Sequence, residues 1–441
     1  MKILKRVLLA LLVVIIVAAI YNYPKLNLLA GYAAKNTASS VFVGQRSLDF
    51  TNKTDNNFSP INLAKNEVNV ESKIATSSAF GLLTRTAFYR EGLGSVLALE
   101  KSDLDATYLI PKRVQSDNSK PYPYGDAAQK DTVFSNVDYE QLNKAIDILF
   151  KDTNQTRVGL IVYKNQIIAE RYADGFDKNS KILGWSMTKS ITSTMFGILE
   201  YQGKINLQSK APIAEWQNDE RKAITIHNLL QMNSGLEWEE EYASISDATK
   251  MLFLSRDMTK PQIDKPLVGK PNESWNYSSG TTNLLSGILR QQFKTHQEYL
   301  DFWYSALIDK IGMNSMLLEA DLDGNYVGSS YAWATPRDWA KLGLLYLHNG
   351  NWDGTEIFTK EWVKYATTPT PTSDNGYGAQ IWLNQGGKYP NVPKSMYYFS
   401  GFQGQNVFIF PEHDLVVVRM GLTKNADMNV FLKEVVASIA N

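Results

Sequence analysis

The sequence predicts an α+β fold: an α/β sandwich with a central antiparallel sheet, flanking helices and a mostly helical subdomain. Three observations carry this. A β-rich hairpin pattern opens the body, a second one stands near its far end, and helical periodicity fills the chain between and outside them. Two hairpins so far apart in sequence are joined most simply as neighbours in one sheet, with the intervening chain packed against it.

The amino terminus comes first. Lys2, Lys5 and Arg6 precede an apolar run from Val7 to Ile20, and Tyr21, Asn22, Tyr23 and Pro24 follow. A basic flank and about 14 apolar residues fit an export signal, which predicts residues 1–23 to be a signal-anchor or a cleaved signal peptide. Either form puts the body outside the cytoplasm, on the periplasmic face of an inner membrane if the run at 7–20 stays as a tether, or secreted if it is cleaved. Residues 24–137 read as an amino-terminal extension of unclear fold, with Thr51–Asn57 as a polar linker or surface loop.

The body is expected over 138–441. Leu142, Ala145, Ile146 and Leu149 recur at helical spacing over 139–150. Val158–Tyr163 and Ile167–Tyr172 flank the polar Lys164-Asn165-Gln166, which is the first hairpin. A helical insertion is expected over roughly 195–370, and inside it Thr335-Pro336-Arg337-Asp338 carries a cap, a first-turn proline and a favourable acidic residue. Asn406–Phe410 and Leu415–Met420 around Pro411-Glu412-His413-Asp414 form the second hairpin. Val430, Phe431, Val435, Val436 and Ile439 mark a closing amphipathic helix.

Composition limits the chemistry. There is no cysteine, so disulfides, thiolate metal sites, cysteine nucleophiles and a lipid anchor built on cysteine are excluded. With 45 Lys+Arg against 45 Asp+Glu, the broad positive field that nucleic-acid binding needs is missing. Four histidines (His227, His296, His348 and His413) are too scattered for a histidine-rich metal site, and no cofactor is expected. Catalysis is left to Ser, Lys, Tyr and the carboxylates.

Gly184-Trp185-Ser186-Met187-Thr188-Lys189-Ser190 opens an apolar helix carrying Ile191, Met195, Phe196, Ile198 and Leu199. If the helix starts at Ser186, Lys189 lies one turn on and on the same face. An amine within reach of a hydroxyl is what makes serine a nucleophile, and free N–H groups at the helix start can hold an oxyanion. In an arbitrary sequence, Ser-x-x-Lys is more often a helix cap and a solvated lysine; here the serine opens a helix that must be buried. The acidic run Glu237-Trp238-Glu239-Glu240-Glu241-Tyr242 reads first as a solvated loop, and as an amine-binding rim if it borders the cleft.

The Ser186 segment resembles the nucleophile motif of the serine β-lactamase and penicillin-binding-protein superfamily, in its class C-like branch of esterases, D-peptidases and 6-aminohexanoate-dimer hydrolases. Leu229–Leu236 resembles the helix and turn that follow in that branch, Trp275-Asn276-Tyr277-Ser278-Ser279-Gly280 its tyrosine motif, and Gly401-Phe402-Gln403-Gly404-Gln405 its glycine-rich third motif. The resemblance covers roughly Asp138 to Asn441 and implies a β-lactamase/transpeptidase-like fold. It implies Ser186 as nucleophile, Lys189 as general base or activator, and Tyr277 as proton relay or base, with the choice of base open. Ser279, Phe402, Gln403 and Gly404 become the substrate-binding residues, and the N–H groups of Ser186 and of a residue near Phe402 the oxyanion hole. Two departures stand out. Ser279 replaces an asparagine, and the third motif lacks the lysine that holds a β-lactam carboxylate. The expectation is an exported serine hydrolase of small-molecule or peptide-like esters or amides, with β-lactams and D-peptides among the candidates; the alternative is a non-catalytic cell-envelope binding protein on the same fold.

Overall fold

The structure is a computed structural model and describes residues 2–114, 119–130, 132–242 and 244–440. The chain opens with a 41-residue helix, α1 (Lys2–Phe42). Its second half carries the small residues Ala30, Ala33, Ala34 and Ala38 on buried faces, which lets other elements approach closely. After α2 (Leu48–Lys53), four strands form an antiparallel meander against α1: β1 (Ala64–Asn69), β2 (Ile74–Ala79), β3 (Leu83–Arg90) and β4 (Gly94–Leu97). The extension thus folds as one helix on a small sheet. Thr51–Asn57, expected as a polar linker, is instead partly interior: Thr51, Asp55 and Asn56 are buried, and Asp55 is paired with Arg46 and Arg157, each at 2.9 Å. Two guanidinium groups make burial of that carboxylate tolerable. Among the described residues no helix is long and apolar enough to cross a membrane, so the tether expected at 7–20 is not supported by them. That stretch falls in part on residues 10, 14–16 and 18–20, whose side chains lie outside the described ones.

The two hairpins meet as expected. α3 (Tyr139–Leu149), capped by Asp138, leads into β5 (Thr156–Tyr163) and β6 (Gln166–Tyr172), whose turn places Lys164 and Asn165 in the left-handed region. At the other end stand β12 (Trp382–Leu383), β13 (Tyr397–Gly401), β14 (Gln405–Phe410) and β15 (Leu415–Gly421). β15 pairs with β5, giving a six-stranded antiparallel sheet in the order β12-β13-β14-β15-β5-β6. Continuous burial along β5, β14 and β15 follows from cover on both faces. On one face α3 packs with α11 (Met428–Ala437). Leu142, Ile146, Phe431 and Val435 meet Ile161, Phe408 and Val417 there. On the other lies α9 (Pro336–Leu347), capped by Thr335 as its sequence predicts.

The remaining elements stand between the hairpins. α4 (Thr188–Tyr201) is buried along nearly its whole length, and α5 (Ile226–Leu230), α6 (Asp247–Leu254), α7 (Ser279–Arg290) and α8 (His296–Trp303) follow it in the chain. β7 (Ile182–Leu183), β8 (Leu317–Leu318) and β9 (Ala332–Ala334) form a three-stranded sheet in the order β7-β9-β8. A small hairpin, β10 (Asn351–Trp352) and β11 (Thr355–Glu356), and α10 (Lys360–Ala366) precede β12.

Candidate active site

β7 delivers the chain to the serine. The N–H of Gly184 donates to the Ala332 carbonyl at 2.8 Å, and Trp185 then adopts φ +48°, a left-handed conformation that bulky residues rarely take. Trp185–Met187 forms one 3-10 turn before α4 begins at Thr188, so the regular helix starts two residues later than Ser186. Thr188 ties the turn down, its hydroxyl donating to the Trp185 carbonyl at 2.7 Å and accepting from the Ala332 N–H at 3.1 Å.

The spacing of Ser186 and Lys189 gives the contact it predicts. Lys189 Nζ stands 3.1 Å from Ser186 Oγ, 2.9 Å from Ser279 Oγ and 3.0 Å from the Ser329 carbonyl oxygen. Burial lowers its pKa to about 8, with Glu240 opposing the fall. Desolvation is therefore the main cause. Tyr277 lies two residues before the start of α7. Its ring centroid is 4.8 Å from Lys189 Nζ, and Ser186 lies close enough to act on its phenol. Burial and the nearby Glu240 push its phenol far up, while the contact with Ser186 draws it down.

Ser279, fully buried, turns its hydroxyl toward Lys189 and Glu240. Glu240 is a site residue that the sequence reading left in a solvated loop. Its carboxylate accepts from Ser279 N–H at 2.9 Å, Trp238 Nε1–H at 2.6 Å, the Tyr242 hydroxyl at 2.9 Å and the Ser279 hydroxyl. Four donors use the capacity of one carboxylate, so Glu240 does not serve as the amine-binding rim considered from sequence. The acidic run has a period of two: Trp238, Glu240 and Tyr242 turn inward, while Glu237, Glu239 and Glu241 are exposed. That alternation was the available signal.

The third motif closes the other side. β13 ends at Gly401, where a Cβ would lie 2.1 Å from the Gly184 carbonyl oxygen, so only glycine lets the two turns touch. The Phe402 ring meets Trp185 edge-on at 5.5 Å and stacks on Tyr242 at 5.4 Å. Gln403 takes φ +61°, and its carbonyl and that of Gly404 accept from Arg419 Nη1 at 3.2 and 2.9 Å. Buried Arg419 also donates to the Thr423 and Asn154 carbonyls, shaping the motif from behind. It too escaped the sequence reading, although it is the single charge in Leu415–Met420. Trp275, Tyr377 and Trp382 surround Tyr277 at 6.4, 5.8 and 5.3 Å. Among the described residues no group of His, Asp or Glu could hold a metal ion.

This sheet, with a serine and a lysine at the start of a buried helix beside it, defines a hydrolase of the serine β-lactamase and penicillin-binding-protein superfamily. The chain belongs to the beta-lactamase family, whose model matches residues 154–434. Over 294 residues it is 21% identical to a 6-aminohexanoate-dimer hydrolase of Paenarthrobacter ureafaciens, covering 61% of this chain and 73% of that one. Two solved structures share the fold. One is a D-stereospecific amidohydrolase from a Streptomyces species, with TM-score 0.54, 14% identity, and coverage of 69% of this chain and 100% of the other. The second is a penicillin-binding protein homologue from Caulobacter crescentus, with TM-score 0.54, 15% identity, and coverage of 68% and 97%.

Proposed function

We propose that the protein is a serine hydrolase that cleaves small esters or amides through an acyl-enzyme on Ser186. The observation that carries this reading is the 3.1 Å approach of Lys189 Nζ to Ser186 Oγ, with the lysine pKa brought to about 8. At pH 7.5 about a quarter of such an amine is neutral. A neutral amine has two hydrogens, which suit the Ser329 carbonyl and Ser279 Oγ, and one lone pair, which is left for the Ser186 hydroxyl. Ser279 Oγ accepts from Lys189 and donates to Glu240, so in this reading it orients the base rather than the substrate.

Lys189 takes the serine proton as Oγ attacks the carbonyl carbon, and the N–H groups of Ser186 and Phe402 receive the oxyanion. The Tyr277 phenol, held protonated, gives its proton to the leaving oxygen or nitrogen and is reprotonated by the Lys189 ammonium. Water then attacks the acyl-enzyme with the roles reversed. This assigns the base to Lys189 and the relay to Tyr277. Phe402, Gln403 and Gly404 would line the substrate without charge, which favours short esters and linear amides over penicillins. A binding protein on the same fold has no use for a desolvated lysine against a serine. Export is part of the proposal, on the strength of Lys2, Lys5, Arg6 and the apolar run after them. The test is labelling by a fluorophosphonate: wild type is expected to label and Ser186→Ala to lose the label entirely. Undiminished labelling of Ser186→Ala refutes the assignment.

A further inference from the structure

We propose that Tyr32 of α1, backed by Lys35, is a positioning residue for the Ser186 turn, so that the amino-terminal unit completes the site from outside the matched region 154–434. The inference rests on Ser186 being the nucleophile.

Trp185 is where the parts of the site meet. It immediately precedes Ser186, holds φ +48°, and is almost fully buried. Three rings enclose its indole: Tyr32 stacked at 6.1 Å and 24°, Tyr331 at 6.0 Å and 58°, and Phe402 edge-on at 5.5 Å. Phe402 belongs to the third motif, and Tyr331 is two residues from Ser329, whose carbonyl receives Lys189. The hydrolase body supplies two of these rings. The stacked one comes from α1.

Tyr32 is itself fixed. Phe58 meets it edge-on at 5.4 Å, and Phe253 of α6 lies at 5.3 Å. Lys35, one turn along α1, sets its ammonium 3.9 Å from the Tyr331 ring centroid. That ammonium donates to Glu319 at 2.6 Å and to Ser39 Oγ at 2.8 Å, and Glu319 also accepts from Ser95 N–H at 2.8 Å and Trp333 Nε1–H at 3.0 Å. One face of α1 therefore braces both Trp185 and Tyr331. A bulky residue in the left-handed region stays there only while its surroundings hold it. With the stacked ring removed, Trp185 relaxes toward the ordinary region and carries the Ser186 backbone with it. A displacement of about 1 Å at a nucleophile can cost about a hundredfold in rate.

The experiment uses the full chain and saturating fluorophosphonate labelling, which separates the limiting rate from the half-saturating concentration. Tyr32→Leu is expected to lower the limiting rate at least tenfold per folded molecule and to leave the half-saturating concentration within twofold. Tyr32→Phe, which keeps the ring, restores the rate. Phe42→Leu, which removes a contact of α1 with Tyr89 at 6.2 Å, lowers the melting temperature but labels like wild type. An unchanged limiting rate in Tyr32→Leu overturns the proposal, and so does an equal loss in Phe42→Leu. If Tyr32→Leu does not fold, Tyr32→Met takes its place under the same criteria. Absence of labelling in wild type would instead remove the nucleophile assignment, and this inference with it.

Discussion

Replacing Glu240 by glutamine tests how the proposed base, Lys189, is tuned. Glu240 and Lys189 both hydrogen-bond Ser279 Oγ, which places them within about 5–6 Å of each other. Opposite charges at that distance interact by about 3 kcal/mol at an effective dielectric of 20 and by less than 1 kcal/mol in water. Glu240 is partly exposed, so the effect should fall between these limits, at about one pH unit on the lysine. The sign follows from the charges: Glu240 favours the ammonium and opposes the lowering caused by burial. Without it the lysine loses its proton at lower pH, and the rising limb of the acylation rate against pH moves from about 8 toward 7. At pH 7 the neutral fraction would rise from about a tenth to about a half. The variant also leaves one or more of the four donors unpaired, at about 1–3 kcal/mol each, so its melting temperature should fall. The assay is the second-order labelling rate from pH 5.5 to 9.5, read as the midpoint rather than the plateau. A midpoint that stays at 8 or moves upward refutes the reasoning.

Two further outcomes follow from the same geometry. Lys189 has a pKa near 8 in the folded protein and 10.5 unfolded, so between these values the unfolded chain binds more protons and stability rises with pH. The burial cost, about 3 kcal/mol, is fully present below pH 8 and gone above 10.5; Lys189→Met should gain stability against wild type at pH 7 and lose that advantage by pH 10.5. Urea unfolding of both at the two pH values checks this, and a difference that does not change with pH contradicts it. Gly401→Ala would drive a methyl group against the Gly184 carbonyl at 2.1 Å, so the two turns must part. Labelling should fall at least tenfold, and wild-type labelling of this variant would show that the turns need not touch.

Much of the fold is legible wherever local pattern and burial agree. The two hairpins have β-branched runs and polar turns, α3 and α11 have clean apolar stripes, and Thr335-Pro336 starts α9 where its chemistry says. The amino-terminal meander was not legible for a physical reason. Ala64–Asn69 and Ile74–Ala79 contain few β-branched apolar residues, and their burial comes from α1, not from an intrinsic strand pattern. Thr51–Asn57 was misread because a buried Asp55 looks like any polar loop residue until Arg46 and Arg157, the latter far along the chain, are seen beside it.

The site divides along the same line. Ser186 and Lys189 are legible because three residues of helix-like spacing set their distance almost alone, and the motif order brings in Tyr277, Ser279 and Phe402–Gly404. What local spacing cannot convey is the surroundings that lower the pKa of this lysine. Its pKa is set by desolvation and by Glu240, and Glu240 reaches it through Ser279 from a loop whose neighbours are solvated. Tyr32 packs against Trp185 and Arg419 donates to backbone carbonyls, contacts that have no sequence signature at the site. The signals that did exist were departures from pattern: a period of two in an acidic run, and one arginine inside an apolar strand. A polar residue where the local pattern calls for an apolar one must be paired or pay about 2–7 kcal/mol for desolvation. Such residues therefore point to long-range partners even when the partners themselves cannot be named: in this chain Glu240 leads to Ser279 and through it to Lys189, and Arg419 leads to the Gln403 and Gly404 carbonyls of the third motif.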